Sequence, residues 1–213
     1  MDEFIRARSP EQKEVRMEEI KEAAAALYHK VPYSNITLTL IADQLSWTRA
    51  NLYRYVKTKE DIFLELIEDS MMRYYEALGE VVTATKGSSV AEVAEKWADV
   101  CVDNIDYLRY SDVLTSIVAD NVTPERVARF TDASYRCSEN MSRRLAERFD
   151  CAPSHAQELL IAVFFHGVGR TGLVHSEEVM NSVLDDARFR FRDFRESMRV
   201  FILTHLNGIP SQA

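Results

Sequence analysis

Cysteine is scarce in this chain. The 213 residues hold only Cys101, Cys137 and Cys151, an odd number at wide spacing. That excludes a disulfide framework and a CxxC metal knuckle, and makes buried or idle thiols in a reducing compartment the expectation. Long hydrophobic runs are also missing. The longest, Leu159 to Phe165, is far too short to cross a bilayer. The opening stretch MDEFIRARS has no apolar core, so no secretory leader is expected and the chain reads as cytoplasmic. No segment sustains period-two alternation, so no sheet is expected. The five histidines form no i,i+4 ligand pair, and no serine or cysteine sits in a nucleophile motif. No metal and no cofactor are therefore expected. There is no internal repeat and no low-complexity tract. Positive charge is in deficit, with 26 Lys and Arg against 34 Asp and Glu, a formal net charge of -8.

What is present is a hydrophobic fraction of 46%, enough for a substantial core, and an uneven distribution of charge. Residues 28–59 carry Lys30, Arg49, Arg54, Lys57 and Lys59 against the single acid Asp43. Residues 1–27 and the long remainder are acidic. One part of an acidic protein is thus suited to face phosphates, although a charge run by itself is also what a solvated face looks like.

Helix punctuation is clear. Ser9-Pro10-Glu11-Gln12 forms a capping box, with Pro at the first helical position. Ile20, Ala23, Ala24, Leu27 and Val31 follow at helical spacing, and Pro32 closes the segment. Thr37 is the next cap, ahead of Ile41, Ala42 and Leu45. Ser46-Trp47 makes a turn, and Thr48 caps a short helix to about Tyr55. Thr58 caps a fourth, longer helix, which Gly87-Ser88-Ser89 interrupts. Further starts are Ser89 with Glu92, Thr123-Pro124, and Pro153-Ser154 with Gln157. The last helix stops near Asn207-Gly208-Ile209-Pro210. About nine helices are expected, and the fold class is all-α.

The stretch from Ile36 to Phe63 is the most informative. Two short helices about a tight turn form a helix-turn-helix, whose second helix is laid in the major groove of DNA. Leu52 and Val56 make the packed face of that helix. Arg49 and Asn51 lie near its start, where Arg can bond guanine and Asn can bond adenine in bidentate fashion. Tyr53 and Tyr55 can each offer a phenol hydroxyl to a phosphate, and Lys57 adds local positive charge. Lys59 and Thr37 stand at helix N-termini, which attract anions, and Thr48 is the cap of the reading helix. These contacts position the protein without reading sequence.

Ile41, Ala42, Leu45, Thr48, Leu52, Tyr53, Tyr55, Lys59, Glu60 and Ile62 keep the spacing of a known motif. Across roughly residues 10–75 the chain resembles the N-terminal domain of the TetR family of bacterial transcriptional regulators. Three positions depart from the usual pattern. Ser46 stands where a turn glycine is common, Trp47 where a small aliphatic is common, and Val56 where Phe is common. The resemblance implies a helix-turn-helix domain, residues 1–57, and a ligand-binding and dimerisation domain, residues 58–213. It implies a repressor released by a small-molecule effector, and a homodimer closed by a four-helix bundle. A short recognition helix alone gives little specific affinity, so a dimer on a DNA operator of two-fold symmetry is expected.

Two strongly apolar late segments suit that interface, with Leu159 and Val163 on one and Phe194, Met198 and Phe201 on the other. Scattered aromatic and polar residues (Tyr74, Trp97, Tyr107, Phe130, Phe165 and His166) could line an effector pocket, or be plain core. Two alternatives stand beside this reading. One is a helix-turn-helix that acts through a protein partner. The other is a nucleotide-dependent enzyme, because Gly167-Val168-Gly169-Arg170-Thr171-Gly172 matches GxGxxG. That fingerprint needs a preceding strand, whereas a helix is expected to run into these glycines. There small residues would serve close helix approach or a kink instead.

Overall fold

The computed structural model describes residues 10–114, 117, 122–184 and 192–210, with backbone alone at Pro10 and 173–184. The described residues form nine α-helices and no strand. They are α1 (Pro10–Tyr28), α2 (Leu38–Gln44), α3 (Arg49–Leu52), α4 (Lys59–Ala84), α5 (Val90–Asp103), α6 (Ile105–Ser111), α7 (Pro124–Phe149), α8 (Pro153–Leu184) and α9 (Phe194–Asn207). A 3₁₀ turn, Tyr33–Asn35, stands between α1 and α2. The cap expected at Ser9 falls outside the described residues.

Most helix starts follow from one local interaction. The hydroxyls of Thr37, Thr48, Thr58, Ser89 and Thr123 accept hydrogen bonds from the backbone N–H three residues on, at 3.1–3.3 Å. Each satisfies a donor that the first helical turn leaves unpaired. Asp193 caps α9 in the same way, through Glu196 N–H. Helix α8 begins at Pro153, within the start expected at Pro153-Ser154, and the Ala152 carbonyl takes the N–H groups of His155 and Ala156. Proline at the first helical position fixes the start and leaves Ser154 inside the turn. Chain reversals use left-handed residues at Ser46, Gly87 and Asp150.

The chain divides into two compact units, residues 1–66 with 113–127, and residues 67–112 with 128–213. The first unit has its core in Ile20, Ala24, Leu27, Ile41, Ala42, Leu52, Val56, Ile62 and Phe63. Phe63 meets the rings of Tyr28 and Tyr33 at 5.6 and 5.0 Å. Burying such a side chain contributes about 1.5–3 kcal/mol.

The second unit buries Trp97, Met71, Leu78, Leu108, Leu145 and Val163. Its α7 and α4 are fastened by arginines. Arg148 donates to the carbonyls of Thr85 (2.9 Å) and Ser88 (2.6 Å), and Arg144 to Gly79 O and Thr83 Oγ1. Cations there satisfy the open carbonyl end of α4. A side chain at Gly79 would collide with Arg144. Helix α9 is held to α5 by Arg195 against Asp99 (2.6 Å) and Glu95 (3.0 Å). The GxGxxG segment lies within α8, with no strand before it. Gly167 permits close approach to Leu108 of α6, which a Cβ would meet at 2.8 Å.

Candidate nucleic-acid interface

Helix α2 ends in a Schellman turn. Trp47 N–H donates to Ala42 O at 2.8 Å and Ser46 N–H to Asp43 O at 3.0 Å, with Ser46 at φ 54°. The left-handed residue is needed to reverse the chain between the two helices, and a serine supplies it. Helix α3 then starts at the Thr48 cap. It is shorter than the sequence suggested. Regular α-helix stops at Leu52, and the tail tightens, with Arg54 N–H on Asn51 O and Tyr55 N–H on Leu52 O.

A four-residue helix has no stability of its own. Packing holds this one, because Leu52 and Val56 are buried. That burial turns the other side chains outward. Thr48, Arg49, Tyr53, Arg54 and Lys57 are exposed, and Asn51 and Tyr55 are half-buried. Tyr55 lies against Trp47, ring centroids 5.7 Å apart, and Arg16 of α1 covers the same indole at 5.4 Å. Thr37 is exposed at the start of α2. Lys59 is engaged within the protein. Its ammonium donates to Tyr33 O at 2.9 Å and sits 4.2 Å from the centre of the Tyr33 ring. The Arg16 seat on Trp47 was not foreseen in the sequence, because it joins residues 31 apart.

In the second unit, three of the six aromatic and polar residues singled out come together. Trp97 Nε1–H donates to the Tyr74 hydroxyl at 2.8 Å, and Tyr74 and Tyr107 rings lie 5.3 Å apart. Tyr107 continues to Phe164 of α8 at 5.3 Å, within the apolar run Leu159 to Phe165. Burial raises Tyr74 and Tyr107 well above the ordinary phenol range. It also pushes the Cys101 thiol, hydrogen-bonded with Tyr74, up to about 12. This cluster is therefore uncharged at neutral pH.

His166 belongs elsewhere. It stacks on Phe201 at 4.1 Å and pairs with Ser197 Oγ at 3.1 Å. Burial, then Arg170 and His205, lower its pKa. Phe130 is buried in α7 and Phe165 is exposed. Of the residues expected to meet a second copy, Leu159, Val163 and Met198 are buried in their own protomer, while Phe194 and Phe201 are half-buried. The reason is geometric: one face of α8 and α9 is already used inside the protomer, leaving Ile161 and Phe165 outward, four residues apart.

A short, capped, outward-facing helix seated by a buried Leu52–Val56 face, after a second helix and a tight turn, defines a helix-turn-helix DNA-binding protein. Its sequence matches the profile of bacterial regulatory proteins of the tetR family over residues 20–66, and that of the tetracyclin repressor-like C-terminal domain over residues 68–213. The chain belongs to the TetR family and is a DNA-binding transcriptional regulator. The family is a class of regulators rather than of enzymes, and its members bind operator DNA as dimers and respond to small molecules.

Solved structures share the fold. The fatty acid degradation regulator FadR from Bacillus halodurans aligns over 97% of this chain and 100% of its own, with a TM-score of 0.60 and 13% identity. A TetR/AcrR regulator from Thermobifida fusca aligns over 91% and 98%, with a TM-score of 0.59 and 20% identity. FadR from Thermus thermophilus, a repressor in complex with lauroyl-CoA, aligns over 93% and 97%, with a TM-score of 0.53 and 17% identity. No curated protein sequence matches the chain. Among the described residues, no helix is long and apolar enough to cross a membrane.

Proposed function

We propose that the protein is a repressor that binds a two-fold operator as a homodimer and leaves it when a small-molecule effector binds the second unit. The observation that carries this reading is the display of α3. Leu52 and Val56 are spent on the core, and Arg49, Tyr53 and Lys57 face outward beside the Thr48 cap. Arg49 and Asn51 read base edges. Thr37, Thr48, Tyr53, Tyr55 and Lys57 hold phosphates, and Lys59 both ties the Tyr33 turn and adds positive charge at the start of α4. The effector acts by preferring one dimer conformation over the other.

Selection of bound duplexes from a random pool tests the DNA half of this reading. An inverted repeat is expected, with the preference at one base pair per half-site relaxed by Arg49→Ala. A good bidentate contact is worth about 1–3 kcal/mol of discrimination. Failure of the wild type to enrich any sequence overturns the reading. An unchanged profile for the variant removes Arg49 from base reading. The effector half of the reading rests on the family, whose members respond to small molecules. Long-chain acyl thioesters are the first compounds to test for release of the operator, since one solved relative holds lauroyl-CoA.

A further inference from the structure

We propose that Arg16 of α1 is an additional phosphate contact of the DNA complex and that Trp47 is the residue that positions it; this rests on the reading of α3 as the DNA-reading helix. Trp47 immediately precedes the Thr48 cap, so whatever it holds lies beside the start of the recognition segment. It is half-buried between two partners. The Tyr55 ring is 5.7 Å from its own, and the Arg16 guanidinium is 5.4 Å from its centre. A small aliphatic residue at position 47 offers no face for a guanidinium. The departure at Trp47 and the seat of Arg16 are therefore one feature.

Apart from Arg16, helix α1 carries the acids Glu11, Glu14, Glu18, Glu19 and Glu22 against Lys13, which is exposed, and Lys21. Its Lys21 is buried against Glu18 at 2.5 Å. Arg16 differs in being half-exposed and drawn onto the turn between α2 and α3. Its one described ion pair is Nη1 to Glu19 at 2.7 Å, between side chains 38% and 36% exposed. Exposed pairs at this spacing are weak and exchange readily. A phosphate is a strong acceptor for the in-plane N–H fork of a guanidinium. A guanidinium held over an indole, here 5.4 Å from its centre, still has N–H groups to offer a further acceptor. Because Arg16 lies outside α3, its contact strengthens binding to every sequence and adds nothing to base preference.

The test measures affinity of the full-length protein for its selected operator and for a scrambled duplex across a range of KCl concentrations. Arg16→Ala is expected to weaken both duplexes by the same factor, and to flatten the log–log salt slope by about two for a dimer, one phosphate per protomer. Trp47→Leu is expected to do the same, with the double variant no worse than either single. Trp47→Phe, which keeps an aromatic face, is expected to hold the wild-type slope. A merely structural tryptophan would lower the melting temperature and leave the slope alone. An unchanged slope for Arg16→Ala, a shifted base preference, or additive losses in the double variant would each overturn the proposal. If Trp47→Leu does not fold, the Arg16→Ala slope decides alone. Wild-type protein that selects no operator would sink the DNA-binding reading itself, and this contact with it.

Discussion

Ser46 adopts φ 54° at the turn between α2 and α3. A Cβ in the left-handed region costs about 1 kcal/mol relative to glycine. The turn's two backbone hydrogen bonds and the burial of Leu52 and Val56 offset that cost. Replacing Ser46 with Gly is expected to raise stability to unfolding by up to about 0.5 kcal/mol, the relief of strain less the extra freedom glycine gives the unfolded chain. A denaturant titration reads this as a higher midpoint at constant slope. A lower midpoint would mean that the serine side chain makes a contact worth more than the strain. Because both residues support the same turn geometry, the set of operators selected by Ser46→Gly is expected to match that of the wild type.

At the level of elements, α3 shows what a sequence can and cannot reveal. Its start was legible because capping is local: Thr48 reaches a donor three residues on, as do Thr37, Thr58, Ser89 and Thr123. Its packed face was legible because Leu52 and Val56 sit one helical turn apart. Its end was not, because the tightening after Leu52 answers to tertiary packing rather than to a stop residue.

Partners distant in sequence were invisible altogether. Nothing in the chain points from Arg148 to the carbonyls of Thr85 and Ser88, or from Arg16 to Trp47. The same holds for which side of α8 is buried, because a helix apolar most of the way round does not declare its inner face. Thr48→Ala removes the only side-chain cap of a helix with a single turn. It is expected to lower stability by about 1 kcal/mol, and Thr48→Ser to restore most of the loss. Equal losses for both variants would show that the Thr48 methyl group, not its hydroxyl, supports α3.

For the whole molecule, assembly depends on which apolar surface the protomer leaves unused. On α8, Leu159 and Val163 are 4% and 1% exposed, whereas Ile161 and Phe165 are 45% and 65% exposed. A large aromatic that open, one helical turn from exposed Ile161, suits a surface that a second copy covers. An isologous dimer would place Phe165 of each protomer at the two-fold interface, with half-buried Phe201 close by through its stack on His166.

Phe165→Glu changes a side chain that the protomer core does not use, so folding is expected to survive. Two buried carboxylates facing each other across an interface are not tolerated, so the dimer is expected to dissociate. Leu159→Glu is expected instead to unfold the protomer. Sedimentation of Phe165→Glu at micromolar concentration checks the first expectation, and its helical circular dichroism the second. The monomer should lose the operator, because one half-site supplies only part of the binding free energy, and selected wild-type sites should carry half-sites about one DNA turn apart, or a multiple of it. Phe165→Glu protein that still sediments as a dimer would move the interface to another face, and a monomer with undiminished operator affinity would rule out two-half-site recognition.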